Sequence, residues 1–165
     1  MTTICTDGET VAADMLVTGN GLKHGTVSKL ARAKDGSVIA GCGSPFDLDS
    51  FVEWYNSDQK EPWTDTDESE FLVLSPGGVI RCFNHLGRSY IATAPQAIGS
   101  GAGVAYGALE MGASPKQAVQ VASKYDTRTG GGVESMMCAA TGRCEYCDGT
   151  GDVHRADGEW LGSCI

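Results

Sequence analysis

The sequence predicts an α+β domain in which antiparallel sheets are layered and helices pack outside them. Three observations predict it. Short strand-like runs meet at tight-turn dipeptides, and strand groups are segregated from helix groups instead of alternating with them. The third is size: 165 residues with 41% hydrophobic content suffice for one core, because a chain of this length buries about two-thirds of the surface its unfolded form exposes.

The elements follow in order. Residues 3–6 and 10–17 read as strands joined at Asp7-Gly8, and residues 29–33 and 37–41 as strands flanking Asp35-Gly36; Asp-Gly favours tight hairpin turns. Ser44 as N-cap, Pro45 at the first helical position and Asp47 and Asp49 in the first turn predict a helix over 45–57, with Leu48, Phe51, Val52 and Tyr55 on one face. Residues 58–70 hold six acids and one lysine and read as a solvated loop. A third hairpin, 71–75 with 79–83, turns at Pro76-Gly77-Gly78, and another strand follows over 89–93. After Ala97-Ile98-Gly99-Ser100-Gly101, the apolar residues Val104, Ala105, Ala108, Leu109 and Met111 mark a helix stopped at Gly112. Ser114-Pro115-Lys116-Gln117 is a capping box opening the next helix, and after Asp126 the segment Gly130-Gly131-Gly132-Val133 turns into a last strand. The layered domain therefore covers residues 2–137. The cysteine-rich stretch 138–165 reads as a separate tail.

Charge narrows the partners. Twelve Lys and Arg against twenty-one Asp and Glu give a net charge of −9 and a pI near 4.6. Nucleic acid and anionic membranes both demand a basic footprint, so neither is expected. No run approaches the roughly 18 apolar residues of a membrane span, and Met1-Thr2-Thr3-Ile4 lacks the basic and apolar regions of a signal peptide, so the expected address is the cytoplasm. Seven cysteines, an odd number, suit reduced thiols better than a disulfide framework.

The chemistry is at the front of the chain. Methionine before a small residue is normally trimmed in the cytoplasm, and trimming here exposes Thr2 with a free α-amine. A threonine hydroxyl is a poor nucleophile alone but is activated by an adjacent N-terminal amine, whose pKa of about 7.7 to 8.0 leaves a useful neutral fraction. Asp14 can pair with Lys29 if their strands are neighbours, and a lysine near the amine favours its neutral form. Gly41-Cys42-Gly43 ends a strand where backbone can approach a substrate closely and offer an N–H to an oxyanion.

Thr2-Thr3-Ile4, Val11-Ala12-Ala13-Asp14 with Thr18, Ser28-Lys29-Leu30, Val38 through Gly43, Ala97 through Gly101, and Asp126 through Thr129 to Gly130, taken in this order, resemble the proteasome family of N-terminal-nucleophile hydrolases. Within it they are most similar to the HslV-type bacterial peptidase subunits. The resemblance implies a four-layer αββα sandwich and a threonine endopeptidase with no required cofactor. It implies Thr2 as nucleophile, Lys29 as the essential lysine beside it, Asp14 as the carboxylate holding that lysine, and Gly43 N–H as oxyanion donor. Ser100 and Asp126 become the pair assisting the amine. Thr18 becomes the backbone that pairs with a peptide, and Gly41 the floor of a first pocket for uncharged side chains. The segment at Ser123, Asp126 and Thr129 is the corresponding site for a sodium or magnesium ion. A homo-oligomeric ring, hexamer or heptamer and in some relatives stacked, an AAA+ unfoldase and a peptide or unfolded-protein substrate are the implied partners.

The chain departs from this pattern in two places. HslV-type subunits have a second long helix where residues 58–70 stand here, which weakens the expectation of stacked rings and of a docked unfoldase. The tail is the other departure. Cys144-Glu145-Tyr146-Cys147-Asp148-Gly149-Thr150-Gly151 resembles one repeat of the DnaJ cysteine-rich zinc domain, where two repeats build a site. Zinc on Cys144 and Cys147 with Cys138, His154 or Cys164, or with a second subunit, stands open beside a flexible metal-free tail of reduced thiols and an adventitious disulfide. Two other functions stay open as well: an amidase of the same class acting on a small amide, which needs no peptide groove at Thr18, and a catalytically silent ring-forming scaffold or zinc-linked interaction protein.

Overall fold

The computed structural model describes residues 2–64 and 68–138, and the backbone of 152–154 and 160–163. Strands β1 (Thr3–Thr6), β2 (Thr10–Asp14), β3 (Leu16–Gly19) and β4 (Leu22–Thr26) open the chain. Next come β5 (Leu30–Arg32), β6 (Val38–Cys42) and helix α1 (Asp47–Asn56). Strands β7 (Glu70–Leu74), β8 (Ile80–Phe83), β9 (Ser89–Ala92) and β10 (Gln96–Gly99) precede helices α2 (Ala102–Glu110) and α3 (Pro115–Tyr125). Strand β11 (Val133–Met137) completes the domain, and β12 (Asp152–His154) pairs with β13 (Trp160–Ser163) as a separate hairpin.

Two antiparallel sheets result, one ordered β10-β1-β2-β11 and the other β5-β6-β7-β8-β9. Side-chain alternation along the strands sorts the core into three slabs. Ile4, Val11 and Ala13 of the first sheet meet Val38, Ala40, Leu72, Leu74 and Ile80 of the second between the sheets. Their neighbours point the other way: Cys5 and Ala12 pack under Ala105, Leu109, Ala118 and Val119 of α2 and α3, whereas Ile39, Phe71 and Val73 pack under Leu48 and Phe51 of α1. The order of layers is α1, sheet, sheet, then α2 with α3. This is the αββα sandwich expected from the sequence.

Local chemistry explains most boundaries. Ser114 caps α3 by accepting from Gln117 N–H while Gln117 Oε1 accepts from Ser114 N–H. Three readings need correction. The run expected over 10–17 breaks at Met15, whose N–H turns to the carbonyls of Gly130 and Gly132, so β2 stays in the sheet while β3 leaves it. Strand β3 then pairs with β4 across Asn20-Gly21, both at positive φ (51° and 76°). Helix α1 begins at Asp47 with Phe46 as an uncapped N-cap; the Ser44 N–H bonds instead to Ser69 Oγ (3.1 Å), and Ser69 donates to Asp47 Oδ2 (2.6 Å). Residues 58–70 are not merely solvated. Among those described no second helix forms, and Trp63 is buried against Phe51, which stacks on Phe71 with centroids 3.8 Å apart.

Candidate active site

Thr2 precedes β1, the central strand that pairs with both β10 and β2, and is almost wholly buried. Asp14, the last residue of β2, is fully buried beside it. Lys29 precedes β5 of the other sheet and reaches in with 8% of its surface exposed. The three side chains converge. Thr2 Oγ donates to Asp14 Oδ1 and accepts from Lys29 Nζ. Lys29 Nζ also lies 2.9 Å from Asp14 Oδ1 and 2.8 Å from the Leu16 carbonyl. An ammonium has three protons, and all three have acceptors here.

The carboxylate of Asp14 is equally well used. Its Oδ1 accepts from Thr3 N–H (3.0 Å) besides Thr2 and Lys29, and its Oδ2 accepts from Leu16 N–H (3.3 Å) and Gly130 N–H (3.0 Å). A buried ion pair needs this degree of satisfaction to offset the loss of hydration. The result is a fixed cation against the Thr2 hydroxyl. Such a cation is in place to stabilise an alkoxide or an anionic intermediate without reorganisation.

A second network lies on the main-chain side of Thr2. Ser100 Oγ lies 3.4 Å from the Thr2 carbonyl and donates to Asp126 Oδ2 (2.6 Å), which also accepts from Thr129 Oγ (2.5 Å). Thr129 Oγ is 2.6 Å from Thr3 Oγ. Partial burial disfavours the Asp126 charge, but the hydrogen bonds from Ser100 and Thr129 and the nearby Arg128 outweigh it and hold its pKa below the ordinary carboxylate value. Asp126 is therefore a charged acceptor at neutral pH.

Backbone geometry lets these parts meet at two glycines. Gly99 has φ +95°, and a Cβ there would lie 1.9 Å from the Thr2 carbonyl oxygen. Gly43 has φ +125°, and its Cβ would lie 2.6 Å from Ser69 Oγ. Only glycine fits at either place. Gly43 lines a cleft with Thr2, Lys29, Gly41, Leu48 and Thr18. Below Gly41 stand Phe71 and Leu48, with 3.3 Å and 3.4 Å to the position a Cβ would take, so the floor is apolar. Burial and the nearby Glu70 push the Cys42 thiol up to about 11, which leaves it protonated and unsuited to nucleophilic attack.

The structure thus brings together Thr2, Asp14, Lys29, Ser100 and Asp126, and places Gly43, Gly41 and Thr18 on the adjoining cleft. Of the expected cation segment, Ser123 lies in the last turn of α3 with its hydroxyl on the Gln120 carbonyl (2.7 Å), and Thr129 N–H bonds to the Asp126 carbonyl (3.1 Å). Cys138 is buried in the slab between the sheets with Sγ 3.2 Å from the Leu74 carbonyl, so this thiol faces the core. The zinc expectation on Cys144, Cys147 and Cys164 lies outside the described residues, as does the side chain of His154. Among the described residues no group of three or more His, Cys, Asp or Glu side chains gathers to hold a metal, and no helix is long and apolar enough to cross a membrane. Sequence reasoning missed Thr3 Oγ, the Leu16 carbonyl and the Gly130 N–H. The first was marked only by its place beside Thr2, and the other two are main-chain groups that no residue type announces.

No protein-family profile and no curated protein matches the chain. Solved structures do. The chain is similar to Thiobacillus denitrificans BPH in complex with epoxomicin, at 18% identity over 82% of this chain and 96% of that one, with a TM-score of 0.63. A second structure of Thiobacillus denitrificans BPH gives 20% identity over 86% and 98%, with a TM-score of 0.65. Eukaryotic HslV from Trypanosoma brucei gives 23% identity over 82% and 97%, with a TM-score of 0.62. The sandwich of two antiparallel sheets between helices is the N-terminal-nucleophile hydrolase fold seen in HslV.

Proposed function

We propose that this chain is a threonine endopeptidase subunit that hydrolyses peptide bonds through an acyl-enzyme on Thr2 once Met1 has been removed. The observation that carries the reading is the contact of Thr2 Oγ with a fully coordinated Lys29 ammonium and a fully accepted Asp14 carboxylate. In the reaction Thr2 Oγ attacks the scissile carbonyl and the free α-amine takes its proton, then passes it to the leaving amine. Lys29 holds the attacking oxygen's developing charge, Asp14 holds Lys29, and the Gly43 N–H receives the tetrahedral oxyanion. Ser100 and Asp126 orient the amine end of Thr2 through the Thr2 carbonyl. Water then attacks the ester, and Thr2 Oγ leaves with the proton returned.

The cleft favours a peptide over a small amide. It runs from Thr2 past Leu16, Val17 and Thr18, where an extended chain has a strand to pair with. The apolar floor at Gly41, Leu48 and Phe71 suits an uncharged side chain. Assembly into a homo-oligomeric ring, delivery of unfolded protein by an AAA+ partner and work in the cytoplasm belong to the same proposal. A sodium or magnesium ion would be held by the main-chain oxygens of Ser123, Asp126 and Thr129; the last turn of a helix leaves carbonyls without intrahelical partners, and hard cations take oxygen ligands. Such an ion would brace the Asp126 loop and takes no part in bond breaking.

Thr2→Ala tests the assignment. It should abolish hydrolysis of fluorogenic peptides while leaving the particle size by light scattering as in the wild type. Residual hydrolysis at the wild-type rate would mean that another residue is the nucleophile.

A further inference from the structure

The first sheet ends in β11, whose alternate residues face opposite slabs. Val133 packs with the helices and Met136 with the core between the sheets, so Glu134, two residues before Met136, also faces the second sheet. A carboxylate on an inter-sheet face is costly unless it is fully partnered. Glu134, half-buried at the edge, finds its partners in the other sheet. Its Oε1 accepts from the Lys29 N–H at 2.5 Å and its Oε2 from Ser28 Oγ at 2.8 Å. Both carboxylate oxygens are spent on the two residues that lead into β5.

The position matters because β11 also shapes the other half of the ion pair. Val133 lies opposite Asp14 in the β11 to β2 ladder, and Glu134 opposite Ala13. One short strand therefore touches the carboxylate's strand by main-chain pairing and the lysine's strand by a side chain. Apart from this bridge, Lys29 is held on its own side by its carbonyl accepting from Gly41 N–H at 3.0 Å.

We propose that Glu134 is a positioning residue that clamps the main chain at Ser28 and Lys29 to the first sheet, so fixing the Lys29 ammonium against Thr2 Oγ and Asp14. The inference deepens the peptidase reading and rests on it for its effect on rate, though the clamp itself does not. A fixed lysine main chain narrows where Nζ can sit; loss of the clamp lets the cation drift, and misplacement by about 1 Å can cost a hundredfold in rate. Glu134 is not among the residues lining the cleft at Thr2, so substrate binding should be spared.

The test compares Glu134→Ala, Glu134→Gln and Ser28→Ala with the wild type in the assembled protein. Hydrogen exchange at the Lys29 amide, read by NMR, should quicken at least tenfold in Glu134→Ala and stay near wild type in Glu134→Gln, whose amide oxygen still accepts that proton. For a fluorogenic peptide, kcat should fall ten- to a hundredfold in Glu134→Ala with KM within threefold, should recover to within about fivefold of wild type in Glu134→Gln, and should fall least in Ser28→Ala, which leaves the Lys29 N–H bond intact. Unchanged Lys29 exchange in Glu134→Ala overturns the clamp. Quickened exchange with unchanged kcat overturns the positioning role. A wild type that hydrolyses no peptide refutes the peptidase reading instead, and the exchange data still decide the clamp. If Glu134→Ala fails to fold, Glu134→Leu, which keeps the bulk of the side chain and removes both acceptors, takes its place, and wild-type Lys29 exchange in that variant overturns the clamp.

Discussion

Asp14→Asn is the perturbation that separates the electrostatic argument from simple packing, because the two side chains have nearly the same shape. Asp14 is fully buried and accepts from five donors. The least damaging placement of the new amide keeps its oxygen towards Thr2, Thr3 and Lys29. Its NH2 then faces the Leu16 and Gly130 N–H groups; the Leu16 N–H keeps the Gly130 carbonyl as acceptor at 2.9 Å, whereas the half-buried Gly130 N–H loses its carboxylate acceptor. That loss costs about 1 to 3 kcal/mol. The Lys29 ammonium also loses its counter-charge, and breaking one side of a buried pair typically costs about 3 to 5 kcal/mol. These terms share atoms and do not add, so the expected loss is about 3 to 6 kcal/mol, against a total stability of about 5 to 15 kcal/mol for a typical domain. Urea unfolding at fixed protein concentration measures it, alongside kcat for a fluorogenic peptide. A change below about 1 kcal/mol with unchanged kcat would refute the claim that Asp14 holds Lys29 in place.

Two other outcomes follow from the same geometry. Gly99→Ala forces a methyl into the Thr2 carbonyl at a backbone angle that disfavours side chains, so peptide hydrolysis should drop by about a hundredfold or more; wild-type kinetics would show that the β10 to β1 approach does not position Thr2. Asp126 has its pKa held below the ordinary value of 3.8. Its carboxylate therefore contributes stability that is complete above that value and lost as pH falls through the lower folded one. Asp126→Asn should lower stability at neutral pH and flatten the acid arm of stability against pH, so that the two proteins converge in acid; an identical acid arm in both proteins would contradict the assignment.

The parts of the fold that were legible in the sequence are those written in local chemistry. Asp7-Gly8 and Asp35-Gly36 mark their hairpins, and the Ser114 to Gln117 box marks the start of α3. Asn20-Gly21 is an equally strong hairpin signal, but every residue of β4 is exposed, so no apolar alternation drew attention to that strand. Met15 looks like a strand residue, and only the Gly130 and Gly132 carbonyls, more than a hundred residues away, divert it. Trp63 sits among acids in sequence and among aromatics in space. The site divides along the same line. The residue types Thr2, Asp14, Lys29, Ser100 and Asp126 were readable because their order resembles a known family, whereas Glu134 was not, since an acid at the edge of a strand reads as a solvent-facing residue until the second sheet is laid over it.

The central claim is that Thr2, with a free amine, is a nucleophile activated by its neighbours. Intact mass of the purified protein, before and after incubation with a peptide epoxyketone or a β-lactone, measures both conditions at once. A mass lacking Met1 and one adduct per subunit, absent in Thr2→Ala, are the expected results. Met1 retained with no adduct, or an equal adduct on Thr2→Ala, would contradict the claim.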